Sequence, residues 1–165
     1  MADKYKCLEG IGGGTIGRIV MGKLKIGVDL LEGIEEMLKS ENIKTGVILS
    51  GVGALEKGIF RNAKVIPPDY KMEDKYRLYI DIDNPLELVA LNGWVATTDQ
   101  GKTNVHAHLL ATTVINDKIV SLGGHLTAGT ITSIKVVIGI GVIENSNIKA
   151  IMDPKVNQIN VDFSA

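Results

Sequence analysis

The chain has 165 residues, of which 45% are hydrophobic and 22% are charged, and its 18 Lys and Arg against 19 Asp and Glu give a formal net charge of −1. These fractions are near the globular averages, which excludes disordered, collagen-like and low-complexity chains, and the balanced charge provides no overall basic field for nucleic acid or anionic lipid. A single cysteine, Cys7, excludes an internal disulfide framework and a cysteine-based zinc finger.

The predicted elements begin with a strand at residues 15–26, where β-branched residues are interrupted by glycines. A helix follows at residues 29–41, because apolar side chains recur there at three- and four-residue spacing. Asp29 can cap its N-terminus, and Glu32 stands at the third helical position in an aspartate version of the capping box.

Strands are predicted for most of the chain after the helix. Seven segments are rich in Val, Ile, Leu and Thr: 45–50, 58–66, 76–82, 86–97, 104–115, 118–126 and 131–143. Several connections between them are short, which predicts an antiparallel meander. The longest loop is expected at residues 64–75, and the tail at 148–165 has weak alternation that fits an added strand or a mobile segment.

The pattern as a whole predicts an α+β fold. We expect a single domain over residues 1–165 with a β-α-β start, one main helix, and an antiparallel, partly closed meander of about seven to eight strands. The charged N-terminus leads into no apolar stretch, so no signal peptide is expected. Residues 136–143 are far fewer than the roughly twenty that span a bilayer, which predicts a soluble, cytoplasmic protein with no membrane partner.

The three histidines of the chain, His106, His108 and His125, lie within 20 residues of one another. His106 and His108 are two residues apart on a predicted strand, so both side chains point to the same face. Asn116-Asp117 has the residue types of a two-residue hairpin loop, and that loop pairs residues whose numbers sum to 233. His125 is then directly opposite His108, at a Cβ separation of about 4.5–5.5 Å.

Three imidazoles converging on one face of a sheet match the ligand set of a His₃ zinc site, in which Zn–N distances are about 2.0–2.1 Å. We therefore predict that His106, His108 and His125 bind one metal ion per chain, with a fourth position open to water, a substrate or a partner's side chain. Zinc is the first choice by availability, although imidazole also suits nickel, copper and iron. The alternative is three ordinary histidines hydrogen-bonded to solvent or to neighbours on a half-exposed sheet.

Other residues are weaker candidates for function. Glu87 stands in an otherwise apolar strand and could serve as a general base or support a metal ligand, whereas Arg18 could hold an anion or form an ion pair. Glycine runs at 10–14 and 50–54 lack the strand-before, helix-after context of a dinucleotide-binding loop, so no cofactor-binding loop is predicted. Trp94, the only tryptophan, is expected in the core or at an interface.

Four segments, in this order, resemble the plants-and-prokaryotes-conserved (PPC) domain: Gly51-Val-Gly-Ala-Leu55, Glu87-Leu-Val-Ala-Leu-Asn-Gly93, His106-Ala-His108 and Gly123-Gly-His-Leu126. The match covers about residues 15–143, and the His-x-His and Gly-Gly-His segments are its most specific part. The resemblance implies a compact α+β domain that assembles as a homotrimer, with a metal site, generally zinc, formed by the matching histidines near a subunit contact.

The resemblance also implies the DNA-binding label of that family, which comes from plant members that carry AT-hook peptides. This chain has no Arg-Gly-Arg-Pro hook, only three arginines and no basic run. Its charge therefore argues against direct DNA binding.

Three hypotheses follow from these residues and the resemblance. The first is a metal-binding homotrimeric PPC-domain protein with a DNA-binding or regulatory role. The PPC fold is also similar to that of acetolactate decarboxylase, which implies an alternative: a zinc-dependent lyase or hydrolase acting on a small oxoacid-like substrate. The substrate would then be a small anionic ligand whose carboxylate is bound by Arg18 or Arg61, and Glu87 would transfer protons. The third is a trimer in which the metal has a purely structural role and catalyses no reaction.

Overall fold

The secondary structure of residues 6–163, which the computed structural model describes, consists of ten strands, one α-helix and a turn of 3-10 helix at Asp74–Tyr76. The larger elements in chain order are β1 (Thr15–Lys23), α1 (Leu30–Ser40), β2 (Gly46–Ala63), β3 (Arg77–Ile82), β4 (Leu86–Thr97), β5 (Thr103–Ile115), β6 (Lys118–Leu126), β7 (Ile131–Thr132), β8 (Val137–Glu144), β9 (Lys149–Asp153) and β10 (Gln158–Asp162). The protein is therefore mostly β, with less helix than the predicted α+β class suggests.

Helix α1 forms where the apolar spacing predicts it. The Asp29 carboxylate accepts hydrogen bonds from the backbone N–H groups of Leu31, at 2.8 Å, and Glu32, at 3.2 Å, and so caps the first turn. The apolar stripe of the helix, including Leu30 and Ile34, is buried against the sheet, where it joins one hydrophobic cluster with residues such as Ile140. Burial of this stripe is what fixes the helix on the sheet.

Strand β2 is 18 residues long and organises the sheet. Along one edge it pairs antiparallel with β4 and then β3, and along the other with β8, β7 and β6. Because β6 also pairs with β5, and β5 with β4, strands β2, β4, β5 and β6 form a closed circuit within an eight-stranded sheet. The predicted antiparallel, partly closed arrangement is confirmed.

The β-α-β start has an extra strand in its middle. Strands β1 and β2 both pair antiparallel with β8, so they run parallel to each other with β8 between them. Helix α1 connects them across one face of the sheet, and this places the helix over the core.

The division of the chain into strands differs from the predicted one at two places. The separate strands expected at 45–50 and 58–66 are one continuous strand, β2, although glycines interrupt its apolar pattern. Gly53 has a φ of 146°, and a Cβ there would collide with the backbone of Lys135, so this glycine lets β2 pass close to its neighbour. The single strand expected at 131–143 is divided into β7 and β8, because Lys135 adopts a left-handed φ of 55° between them.

The short Asp83-Asn84-Pro85 connection does not make a hairpin. β3 pairs with β2 between Gly58 and Ala63, and β4 pairs with β2 between Gly46 and Leu55, so β3 and β4 lie end to end along the same edge. The predicted meander is therefore interrupted at this point.

The C-terminal tail forms strands, the first of the two alternatives. β9 and β10 pair antiparallel as a two-stranded sheet of their own. The expected long loop before β3 is confirmed, with the 3-10 turn at its end. Across residues 6–163, no helix has the length and apolar character needed to cross a membrane.

Candidate metal centre

The hairpin of β5 and β6 positions two of the three histidines. Asn116 and Asp117 form its loop and have φ values of 50° and 57°, as a two-residue hairpin turn of this type requires. The resulting register puts His108 directly opposite His125. The pairing predicted from the loop is therefore confirmed.

The three imidazoles come together on the side of the hairpin that faces away from the core. Ala107 and Leu109 are buried in the core, so His106 and His108, which alternate with them along β5, point outward. The ring centroids are 5.3 Å apart for His106 and His108, 4.8 Å for His106 and His125, and 5.2 Å for His108 and His125. One potential ligand atom from each ring lies within 4.8 Å of the other two.

The surroundings keep two of these rings neutral. Burial lowers the pKa of His125 to about 3, and the positive charge of Arg61 adds to the shift. Burial also lowers the pKa of His106, with smaller contributions from His108 and Arg61. Their nitrogen lone pairs are therefore available at neutral pH, as metal ligation by imidazole requires.

The donor set fits a divalent metal ion. Nitrogen atoms bound tetrahedrally to one zinc ion at about 2.0–2.1 Å lie about 3.4 Å from one another. Ligand atoms already within 4.8 Å reach that spacing by small side-chain rotations. Because His106 and His125 are half-buried and His108 is exposed, the centre is open on one side. Three imidazoles with an open position are the arrangement expected of a reactive or ligand-exchanging site rather than a closed structural one.

A cleft of about 250 Å³ adjoins the histidines. Its lining residues come from five strands, β2, β4, β5, β6 and β10: Arg61, Trp94, Asn104, Val105, His106, His125, Gln158 and Ile159. Gln158 and Ile159 belong to β10, so the C-terminal hairpin forms one wall of the cleft.

Arg61 reaches this cleft because the sheet closes between β2 and β6. In that short pairing Arg61 is directly opposite His125. A Cβ on Gly124 would lie 2.7 Å from the Asn62 side-chain nitrogen and 3.0 Å from the Arg61 carbonyl oxygen. The glycine before His125 therefore permits the close approach of two backbones that brings Arg61 to the histidines.

The two weaker catalytic candidates are not brought to the histidines. Glu87 is exposed and pairs with Thr112, four residues from His108 along β5, which corresponds to about 13 Å of strand. Arg18 forms an ion pair with Glu41 at 2.6 Å and also donates a hydrogen bond to the Glu41 carbonyl oxygen. Of the two alternatives for Arg18, anion binding and an ion pair, the structure shows the ion pair.

Trp94 is a residue of the site that the sequence did not assign to it. The tryptophan is half-buried and is paired with His106 across β4 and β5. The turn residues at 98–101 predict a hairpin here, but the observed turn is one residue longer, and only this longer turn pairs Trp94 with His106. Gln158, which lines the cleft, and Arg77, which donates a hydrogen bond to the Gln158 side chain, have no comparable signal, since long-range packing brings them together.

The chain matches the model of the Plants and Prokaryotes Conserved (PCC) domain over residues 11–148. Strands β9 and β10, and with them one wall of the cleft, lie beyond the matched residues. No curated protein sequence matches the chain.

Several solved structures share the fold. A metal-containing protein from Archaeoglobus fulgidus superimposes with a TM-score of 0.72 at 21% identity, covering 91% of this chain and 96% of that chain. A plant- and prokaryote-conserved (PPC) protein from Pyrococcus horikoshii gives 0.70 at 23% identity, covering 88% and 92%. A proposed DNA-binding protein from Bacteroides thetaiotaomicron gives 0.73 at 18% identity, covering 92% and 96%. At these identities the likeness is one of fold.

Proposed function

The chain belongs to the Plants and Prokaryotes Conserved (PCC) domain family, the PPC family of the sequence resemblance, and from this premise we propose that it is a metal-binding homotrimer. Each chain binds one divalent ion, zinc before other metals, through His106, His108 and His125. The observation that carries the proposal is the convergence of three imidazoles, with ligand atoms within 4.8 Å of one another, beside an open cleft. The Archaeoglobus fulgidus protein of the same fold is a metal-containing protein.

The metal would supply a Lewis-acid position at the mouth of the cleft. The other residues of the site orient the histidines and set the charge around them. Trp94 stacks on His106 and fixes the plane of that ring, while Arg61 places a positive charge beside His125. Orientation of metal-binding histidines by their neighbours tunes metal affinity.

An apolar row on the outer face of the sheet supports assembly with further copies of the chain. Ile19, Gly141, Val47 and Trp94 are directly paired across β1, β8, β2 and β4, and Trp94 is in turn paired with His106. Ile19 is 62% exposed and Val47 is 39% exposed. A contiguous apolar strip of this kind marks an interaction surface, and its continuity with the histidines fits a subunit contact near the metal.

Metal content is the direct test. Protein purified without chelator and without a histidine tag is expected to contain about one metal ion per chain by elemental analysis, consistent with a three-histidine site. The His108→Gln variant removes an exposed ligand and should lose most of that metal while keeping its fold. Full metal content in a His106→Ala, His108→Ala double variant, or no metal in the natural chain, would refute the site.

Oligomeric state tests the assembly independently of the metal. Light scattering after size exclusion is expected to give the mass of three chains for the natural protein and a smaller mass for Val47→Lys. Ile66→Lys is the matched control, because Ile66 is an equally apolar, exposed side chain outside the row. A monomeric natural protein, or a trimer unaffected by Val47→Lys and Ile19→Lys together, would contradict the proposed interface.

Two roles are possible for the metal centre. The first is a regulatory or DNA-binding role, and the second is a reaction on a small molecule. The name of the Bacteroides thetaiotaomicron protein points to DNA, but the net charge of −1 means that any DNA contact needs a local basic patch or a partner. The open cleft favours the zinc-dependent enzyme over a purely structural staple, since a staple needs no such space. A mobility-shift titration at low salt that gives no complex would exclude the DNA role.

A further inference from the structure

We propose that the cleft beside the histidines is a binding site for a small carboxylic acid that carries a second oxygen donor, with its carboxylate held by Arg61 and its other oxygen directed to the histidines. The contact of the second oxygen rests on the proposed function, because it requires the metal. The carboxylate subsite does not, because arginine side chains form it. Arg61 is directly opposite His125 across β2 and β6, so a short molecule is expected to connect the two subsites.

Arg61 is positioned for a ligand rather than for an ion pair of its own. It lines the cleft and is half-buried. Among residues 6–163, no carboxylate lies within salt-bridge distance of its guanidinium. Its neighbour across β2 and β3 is Tyr79, whose hydroxyl donates a hydrogen bond to Asp74 at 2.6 Å. A guanidinium of this kind retains donors for a bidentate carboxylate.

Arg77 adds a second, more deeply buried positive charge. Its side chain is 16% exposed, and its nearest carboxylate, on Asp74, is 3.9 Å away and 76% exposed. Its close hydrogen bond, of 2.5 Å, goes to the neutral amide oxygen of Gln158, a residue that lines the cleft. Burial and the charge of Arg77 both lower the pKa of Arg61. Among residues 6–163, Arg61 has no carboxylate within salt-bridge distance and Arg77 has only the exposed one of Asp74, so the two guanidiniums leave an excess positive charge that an incoming anion would compensate.

The other lining residues and the volume of the cleft limit the size and polarity of the anion that can bind. Trp94, Val105 and Ile159 add apolar surface to the lining of the cleft. The cleft volume of about 250 Å³ is below the roughly 300–1,000 Å³ typical of sites for drug-sized ligands. A short-chain oxo or hydroxy acid fits this space, whereas a nucleotide does not.

Calorimetric titration with 2-oxobutyrate tests the proposal, with uncharged 2-butanone as the matched probe. The metal-loaded natural chain is expected to bind 2-oxobutyrate and not 2-butanone. Arg61→Gln should weaken 2-oxobutyrate binding by about tenfold or more, the loss expected for one charge-assisted bidentate contact. Arg18→Gln is the control, because Arg18 is an exposed arginine paired with Glu41 away from the cleft. Circular dichroism of the Arg61→Gln protein, and partial rescue by Arg61→Lys, separate loss of the contact from loss of the fold.

The outcomes separate this inference from the metal site. Undiminished binding in Arg61→Gln would overturn the inference, as would inorganic phosphate binding as tightly as 2-oxobutyrate, which would indicate an unselective anion site. The same titration on chelator-treated natural protein should retain weaker binding that still depends on Arg61. If no metal binds at all but this Arg61-dependent binding persists, the metal-binding proposal fails and the carboxylate subsite stands.

Discussion

The indole ring of Trp94 lies parallel to the imidazole of His106, with 5.1 Å between the ring centroids and 7° between the ring planes. The two residues are directly paired across β4 and β5. One face of His106 is thereby covered, and the plane of its ring makes an angle of 33° with that of His108 and 80° with that of His125. Trp94 is half-buried and lies outside the core, and its stacking places it to orient His106 in the proposed metal centre.

Replacing Trp94 by leucine is expected to weaken metal binding without abolishing it. The leucine keeps an apolar side chain but no longer defines the plane of His106, and loss of a residue that orients a metal ligand typically costs about 10–100-fold in affinity. Competition with a chromophoric chelator measures the change. Trp94→Phe should lie closer to the natural chain, because a phenyl ring can still stack. Equal affinity for all three proteins would exclude this role.

The stability of the metal-free protein is expected to fall as the pH is lowered from about 7 toward 4. The pKa of His125 is about 3 in the folded chain against an ordinary value of 6.5, so between these values the unfolded chain binds a proton that the folded chain does not. Protonation therefore favours unfolding over this interval. Thermal unfolding in the presence of chelator, compared with a His125→Gln variant, isolates the contribution. The unfolding temperature of the variant should depend less on pH than that of the natural chain. Equal pH dependence of the two proteins would contradict the low pKa of His125.

Gly124 is expected to tolerate no side chain. In Gly124→Ala the new Cβ would press on the Arg61 carbonyl oxygen at 3.0 Å and on the Asn62 side chain at 2.7 Å, so β2 and β6 must separate. We expect a destabilisation of about 1–3 kcal/mol, the usual cost of overpacking, together with weaker metal binding because His125 is adjacent. Gly123→Ala is the matched control, since its nearest contact would be at 3.3 Å. Denaturant unfolding of both variants measures the difference, and equal stabilities would contradict the proposed close approach.

Substituting glycine for Asp117 is expected to stabilise the β5–β6 hairpin. Asp117 has a φ of 57°, and Asn-Gly is the preferred pair for such a turn. The gain should be about 0.5–1 kcal/mol, because the left-handed backbone costs a residue with a Cβ roughly 1–2 kcal/mol and the greater conformational entropy of unfolded glycine offsets part of this. Asp83→Gly tests the reasoning, since Asp83 does not have a positive φ and should gain nothing. A stabilisation of similar size at Asp83 would show that the effect is not one of turn geometry.

The sequence by itself was sufficient for local features. The capped helix after Asp29 and the pairing of His108 with His125 depend on residues close together in the chain, and their periods and turn residues can be counted. A hairpin with a two-residue loop leaves one register, so two of the three histidines could be placed opposite each other before any coordinates were known. Membership of the family could likewise be recognised from short motifs.

Only the tertiary structure decided what surrounds those histidines. The closure between β2 and β6 that brings Arg61 to His125 joins residues 64 positions apart. Gly123 and Gly124 leave room for another backbone to approach, but no local pattern says that this backbone is β2. The link from Arg77 through Gln158 to the cleft likewise spans 81 positions and requires the C-terminal hairpin to pack against the sheet. Local hydrogen bonding and alternation determine a hairpin, whereas the environment of its outer face is set by long-range packing, which one sequence read along its length does not reveal.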